Sequence, residues 1–189
     1  VWTNVADTFS RANGPIGSAE TGQVWATANS GSSFTVSGNQ AAPVYNSGAL
    51  HTPCTVDSGV SDCTVTCDFI SAVSGTGFIW RLSDDSNYWL FLVADGAVYK
   101  KVAGTFAGVA NPTAASGTWT VQLSGSSIVL TSPSAVQTNI TDSFNSTATR
   151  HGFSSFNTNT QRYDNFFVRT PSTAPSQIRS FALRRSTLY

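Results

Sequence analysis

The chain has no methionine, a single glutamate (Glu20) and only 11% charged residues over 189 positions. It has no run rich in Ala, Leu, Glu, Lys and Arg and no long helical periodicity, so a helical bundle is excluded. No segment approaches the roughly 20 apolar residues that span a bilayer, and no membrane partner is expected. Val1 to Ser10 is neither basic nor followed by an apolar core, so no signal peptide is read there. Histidine is scarce too: His51 and His151 are the only two. His51 stands three positions before Cys54, but the two histidines lie far apart and no closely spaced histidine pair accompanies the cysteines, which argues against a zinc site. Three cysteines are an odd number, so at least one is free or pairs outside the chain. Cys63 and Cys67 lie four apart on one expected strand, about 13 Å at strand rise and too far to bridge. Cys54 with Cys63 is the easy local pair, and three small buried hydrophobes is the plainer reading.

Net charge is zero but unevenly spread. Residues 1–168 hold six Lys/Arg against ten Asp/Glu, a net of −4, whereas residues 169–189 hold four Arg and no acid. The body therefore does not read as a nucleic-acid binder.

What is abundant is Ser, Thr, Gly, Val and aromatic residues in short runs. The most apolar stretch is Gly77 to Gly96, GFIWRLSDDSNYWLFLVADG. Two aromatic and β-branched runs flank Ser83 to Asn87, which predicts a central β-hairpin turning at Asp84 to Asn87. Thr3 to Arg11 reads as a first strand, residues 13–17 as a loop, and Gln23 to Ala28 as a short strand. Residues 33–37 and 40–45 form a hairpin across Gly38-Asn39. Leu50 to Ser61 reads as irregular. Cys63 to Ile70 alternates, with Cys63, Val65, Cys67 and Phe69 on one face. Ala97 to Val102 is a strand, Ala103 to Ser116 a small-residue loop, and 119–123 and 127–130 strands. Pro133 to Thr149 is polar and less regular, and 152–156 and 163–168 close the body. About twelve strands with Gly, Ser and Asn turns predict an all-β, two-sheet antiparallel sandwich over 1–169. Residues 170–189 read as an extended basic arm, too polar to fold alone and expected to dock on the body or on a neighbour.

Asp7 to Gly17 (DTFSRANGPIG), Gly22 to Trp25 (GQVW), the central hairpin, and Gly152-Phe153 with Tyr163 to Phe166 resemble the concanavalin A-like, laminin-G-like sandwiches. These are common in actinobacterial proteins and in minor tail and other virion proteins of their phages. The resemblance covers residues 7–168 and implies a jelly-roll-like fold. It also implies a non-catalytic phage virion protein, a minor tail component or capsid decoration, present in many copies. Its lectin-like body would face host-surface glycan, and its location would be the particle, assembled in the host cytoplasm. On the same reading a chain starting at Val1 with no Met elsewhere is a whole gene product. The alternative is a carbohydrate-binding module of a secreted bacterial protein, and the third reading a glycoside hydrolase.

Sugar-cleaving relatives use glutamates in pairs, and retaining hydrolysis needs two carboxyls about 5–5.5 Å apart. One Glu cannot supply that, and neighbouring Asp84 and Asp85 point to opposite faces or sit in a turn. No G-x-S-x-G is present. No catalytic residue is assigned. Around the central turn, Arg81, Asp84, Asp85, Asn87, Tyr88 and Trp89 mix aromatic faces with planar polar groups and form the candidate sugar site. The structural alternative has Trp80 and Trp89 in the core, Arg81 paired with an Asp and Asn87 capping the turn. Relatives often hold Ca²⁺ where first and last strands meet, which points to Asp7 and Asp164. An Arg11–Asp164 or Arg162–Asp7 ion pair is the competing expectation, and no cofactor is otherwise implied. In the arm, Ile178, Arg179, Phe181, Leu183, Arg184 and Arg185 are the candidate contacts to other virion proteins, by addition of a strand to a sheet edge. The Asn139 and Asn145 sequons carry no weight in a phage protein.

Overall fold

The computed structural model describes residues 2–28, 32–45 and 51–170. The arm contacts expected at Ile178, Arg179, Phe181, Leu183, Arg184 and Arg185 lie outside the described residues.

The described residues form two antiparallel sheets and no helix. Strands run as β1 (Trp2–Asp7), β2 (Gly14–Pro15), β3 (Ala26–Thr27), β4 (Ser32–Val36), β5 (Ala41–Tyr45) and β6 (Thr52–Asp57). Then come β7 (Thr64–Ser71), β8 (Gly77–Asp84), β9 (Asn87–Leu92), β10 (Ala97–Val102) and β11 (Thr105–Ala110). The last are β12 (Gly117–Ser124), β13 (Ser127–Thr131), β14 (Gln137–Thr141), β15 (Arg150–Ser155) and β16 (Arg162–Thr170). The first sheet has the order β14-β13-β12-β7-β16-β5-β4-β2, with β1 also on β16, and the second β11-β10-β9-β8-β15-β6-β3. This is the two-sheet antiparallel sandwich expected from the sequence.

Several sequence expectations need correction. The first strand stops at Asp7, because Phe9 takes a left-handed φ of 51° that strand geometry does not allow. Gly14–Pro15 is a two-residue edge strand on β4 within the expected loop. Residues expected to be irregular hold β6, in the interior of the second sheet. Thr52 to Val56 are buried on both faces, so the apolar–polar alternation never arises, and Pro53 points away from a strand assignment. The small-residue loop holds β11, an exposed edge strand with no buried face to leave a pattern. The polar stretch after Pro133 holds β14, the other sheet's edge. The described strands therefore number sixteen, against about twelve expected.

Other expectations stand. Gly38 and Asn39 have φ of 60° and 59°, and the Ser37 N–H donates to the Gln40 carbonyl at 2.9 Å. Both central residues are left-handed, which is the twist a two-residue hairpin needs. Cys63, Val65, Cys67 and Phe69 are all buried between the sheets, and all three cysteines are free. The core is aromatic. Phe153 of β15 stacks on Tyr163 of β16 at 4.4 Å, joining the two sheets, and the Tyr163 hydroxyl donates to the Ser154 carbonyl at 2.6 Å.

Strand alternation gives the second sheet two faces. Phe78, Trp80, Trp89, Phe91 and Val98 point to the main core. Ile79, Leu82, Tyr88 and Leu90 form a separate buried cluster on the outer face, with Ala28 and Leu92 packed against it. A sheet normally leaves that face to water, and here it carries a second apolar layer.

Candidate functional site

The six residues expected around the central turn meet there but divide in two. Asp84 and Asp85 are exposed, whereas Arg81, Tyr88 and Trp89 are fully buried. The turn consumes its own polar groups. Asp84 accepts from the Ser86 N–H at 2.8 Å and from Asn87 Nδ2 at 2.9 and 3.0 Å, and these bonds hold its carboxyl below the usual range. Asn87 Oδ1 accepts from the Ala103 N–H at 3.0 Å, tying the turn to β10. Trp89 Nε1 donates to the Phe144 carbonyl at 3.0 Å. Arg81 reaches Asp62 at 3.4 Å, from a left-handed backbone (φ 51°) at a bulge in β8. Its side chain lies among Asp62, Cys63 and His151 rather than facing solvent.

Asp7 and Asp164 do sit on the first and last strands. The ion pair, however, is Arg11–Asp7, neither of the two expected. Arg11 holds Asp7 with two nitrogens at 2.6 and 3.1 Å. Asp7 also accepts from the Phe9 N–H at 2.9 Å and Trp25 Nε1 at 2.8 Å, so its acceptor positions are filled within the chain. Asp164 has its carboxyl raised by burial and by the nearby charges of Asp68 and Asp7. Among the described residues no group of three or more His, Cys, Asp or Glu is arranged to hold a metal ion.

The structure brings together a different set. On the outer face of the second sheet, His51, Leu90, Leu92, Tyr99 and Phe106 line an open recess of about 150 Å³ with apolar walls. The ladder explains the grouping. Leu90 faces Tyr99 across β9–β10, Tyr99 faces Gly108 across β10–β11, and Phe106 faces Lys101. Phe106 packs edge-on against Tyr99 and Tyr88, each with centroids 6.1 Å apart. Lys101 lies over both the Tyr88 and Phe106 rings, at 5.1 and 5.3 Å, and its ammonium donates to the Asp85 carbonyl at 2.8 Å. His51 lies 6.0 Å from Phe106 and 5.0 Å from Phe156. Burial, and then the Lys101 charge, lower the His51 pKa to about 4, so the ring is a neutral plate at neutral pH.

Phe156 belongs to a second, adjoining recess of about 300 Å³, lined by Val73, Ser74, Phe156, Asn157, Thr158 and Thr160. Two loops build it. In the β7–β8 loop, Thr76 donates its N–H to the Val73 carbonyl at 2.9 Å and its hydroxyl accepts the Val73 N–H at 3.0 Å. Gly75 (φ 85°) there lets the loop close on Phe156, since a Cβ would fall 2.6 Å from the Phe156 carbonyl oxygen. In the β15–β16 loop the Thr158 and Thr160 hydroxyls bond at 2.8 Å, and Arg162 donates to the Asn159 and Gln161 carbonyls, both at 2.7 Å. The result is a run of rings, Tyr99, Phe106, His51 and Phe156, with hydroxyls and an amide at its Phe156 end. Phe106 and Phe156 are 36% and 37% exposed, which leaves ring faces open to a ligand. A third recess of about 250 Å³, between the β11–β12 and β13–β14 connections, has no aromatic wall.

Sequence reasoning missed this site because its residues come from four separate segments. Two of them, those of His51 and Phe106, lie in stretches read as irregular and loop. The alternation of Tyr88, Leu90 and Leu92 away from Trp89 and Phe91 was the one available signal.

No family model matches the chain, and no curated protein matches it. Among solved structures it is similar to a sialidase chain, with a TM-score of 0.51 and 12% identity over 91% of this chain. This chain spans 19% of that sialidase chain. It is also similar to the carbohydrate-binding module CBM66 from Bacillus subtilis, with 13% identity and a TM-score of 0.44, covering 77% of this chain and 92% of that one. The first likeness shows a shared sandwich fold.

Proposed function

We propose that this is a non-catalytic carbohydrate-binding domain that takes a glycan along the Tyr99–Phe106–His51–Phe156 run. One observation carries the reading. Half-exposed aromatic rings lie directly beside an uncharged recess of hydroxyls and an amide. Sugar rings have an apolar C–H face and a polar rim, and these two surfaces match them side by side. No carboxylate lines any of the three recesses among the described residues, which supports binding without cleavage. This favours the module reading over the virion reading, which rests on the sequence resemblance alone.

The test is a broad glycan array followed by calorimetry on the best ligand. Phe156→Ala and Phe106→Ala should each weaken binding about tenfold, roughly 1.4 kcal/mol, with the melting temperature nearly kept. Absence of any bound glycan, or parental affinity in both variants, would overturn the assignment.

A further inference from the structure

Resting on that glycan reading, we infer that the apolar recess selects sugars that carry a methyl group. The methyl can be the acetamido methyl of an N-acetylated hexosamine or the C6 methyl of a 6-deoxy sugar.

The recess is unlike its neighbour. Among the described residues its walls are two leucines, a phenylalanine and the rings of His51 and Tyr99. A sugar hydroxyl pressed into it would give up hydrogen bonds to water and gain none, which is costly. A methyl group there loses nothing and leaves water, an advantage of about fourfold in affinity for a methyl-sized group. Size agrees: about 150 Å³ is several times the roughly 30 Å³ share of one water molecule, so the methyl of an acetamido group fits while its amide stays at the open mouth. The adjoining recess supplies hydroxyls and an amide from Ser74, Asn157, Thr158 and Thr160 for the rest of the ring. The His51–Phe156 contact joins the two. One bound sugar can therefore place its substituent on the apolar side and its hydroxyls on the polar side.

Gly108 gives a handle on the assignment. It stands opposite Tyr99 in the β10–β11 ladder, on an exposed edge strand. Among the described residues a Cβ there would meet Tyr99 Cε1, at 3.8 Å, an ordinary contact. There is room among them for a side chain at position 108, and one there would lie against the Tyr99 ring that walls the recess.

The experiment uses two matched pairs in calorimetric titration. The first is the trisaccharide of N-acetylglucosamine against cellotriose, the second L-fucose against L-galactose. The methyl-bearing member of at least one pair should bind about fourfold tighter or more, and which pair responds names the source of the methyl. Gly108→Leu should erase that difference while weaker binding and the melting temperature persist. Equal affinity within both pairs, with Phe156→Ala still weakening binding about tenfold, would overturn methyl selection and leave the glycan reading intact. A preference that survives Gly108→Leu would overturn the placement of the methyl in this recess. No binding by any sugar would overturn both proposals.

Discussion

Trp80 and Trp89 face each other across the β8–β9 ladder with ring centroids 6.0 Å apart and planes within 7°, both fully buried. This pair anchors the hairpin to the main core, with Phe78, Phe144 and Trp89 Nε1 bonded to Phe144 around it. Trp80→Ala or Trp89→Ala should each cost about 3–5 kcal/mol in urea denaturation. The double variant should cost less than the sum, because the rings touch. Unchanged midpoints for both single variants would show that the hairpin is not the core.

Acid should destabilise the fold through histidine. His151 is fully buried, its Nδ1 accepts the Arg81 N–H at 3.3 Å, and Nε2 lies 3.2 Å from the Val60 carbonyl. Burial lowers its pKa to about 4, against 6.5 in the unfolded chain. The unfolded state therefore binds the extra proton first. Stability is full above pH 6.5 and falls as pH drops toward about 4, by about 3 kcal/mol for this residue. His51 shifts in the same direction and adds to the loss. Chemical denaturation at pH 7.5 and pH 4.5 checks this; equal stability at both would refute it.

The thiols should be silent in the folded protein. Cys54, Cys63 and Cys67 are free and buried, and burial pushes the Cys63 thiol up to about 12 and the other two up as well. Reaction with an aromatic disulfide reagent should proceed at the rate of global unfolding and count three thiols. Rapid labelling of any one at neutral pH would contradict the packing.

Gly152→Ala should be among the most damaging single changes. A Cβ at Gly152 would lie 2.0 Å from the Cys54 carbonyl oxygen and 2.8 Å from the Thr55 Cα, both backbone atoms of the paired strand β6. Backbone in a ladder cannot step aside, so the strands must part, at a cost of about 3 kcal/mol. A thermal melt matching the parent would show that β15 and β6 pair more loosely than described.

No hydrolysis is expected. Glu20 is exposed and accepts from the Thr8 N–H at 3.3 Å and the Thr8 hydroxyl at 2.5 Å, with no carboxylate among its hydrogen-bond partners. Incubation with β-glucans and wall glycans should release no reducing ends. Release that Glu20→Gln abolishes would establish an enzyme.

The hairpin, the Gly-Asn turn and the Cys63 to Phe69 alternation were legible because each has one buried face or a turn with a stereochemical demand. β6 was not, because burial on both faces removes the alternation. β11 and β14 were not, because strands at the edge of a sheet need bury little. The site suffered for the same reason. Tyr88 and Trp89 were read together as one surface, yet consecutive strand residues point to opposite faces, and only the pairing of β9 with β10 and β11 shows which partners Tyr88 meets.

Strand β16 is the last described strand in sequence yet lies inside the first sheet, between β7 on one side and β1 and β5 on the other. Thr170 pairs with Trp2, so the seam joins residues 168 positions apart. A chain emerging from the ribosome cannot close this sheet until residue 170 is out, and until then β7 and β5 have no common neighbour. Such pairing makes a high contact order and places the fold among slow β-proteins, in the range of milliseconds to seconds. While it waits, the chain carries open strand edges, the species most prone to associate wrongly during synthesis.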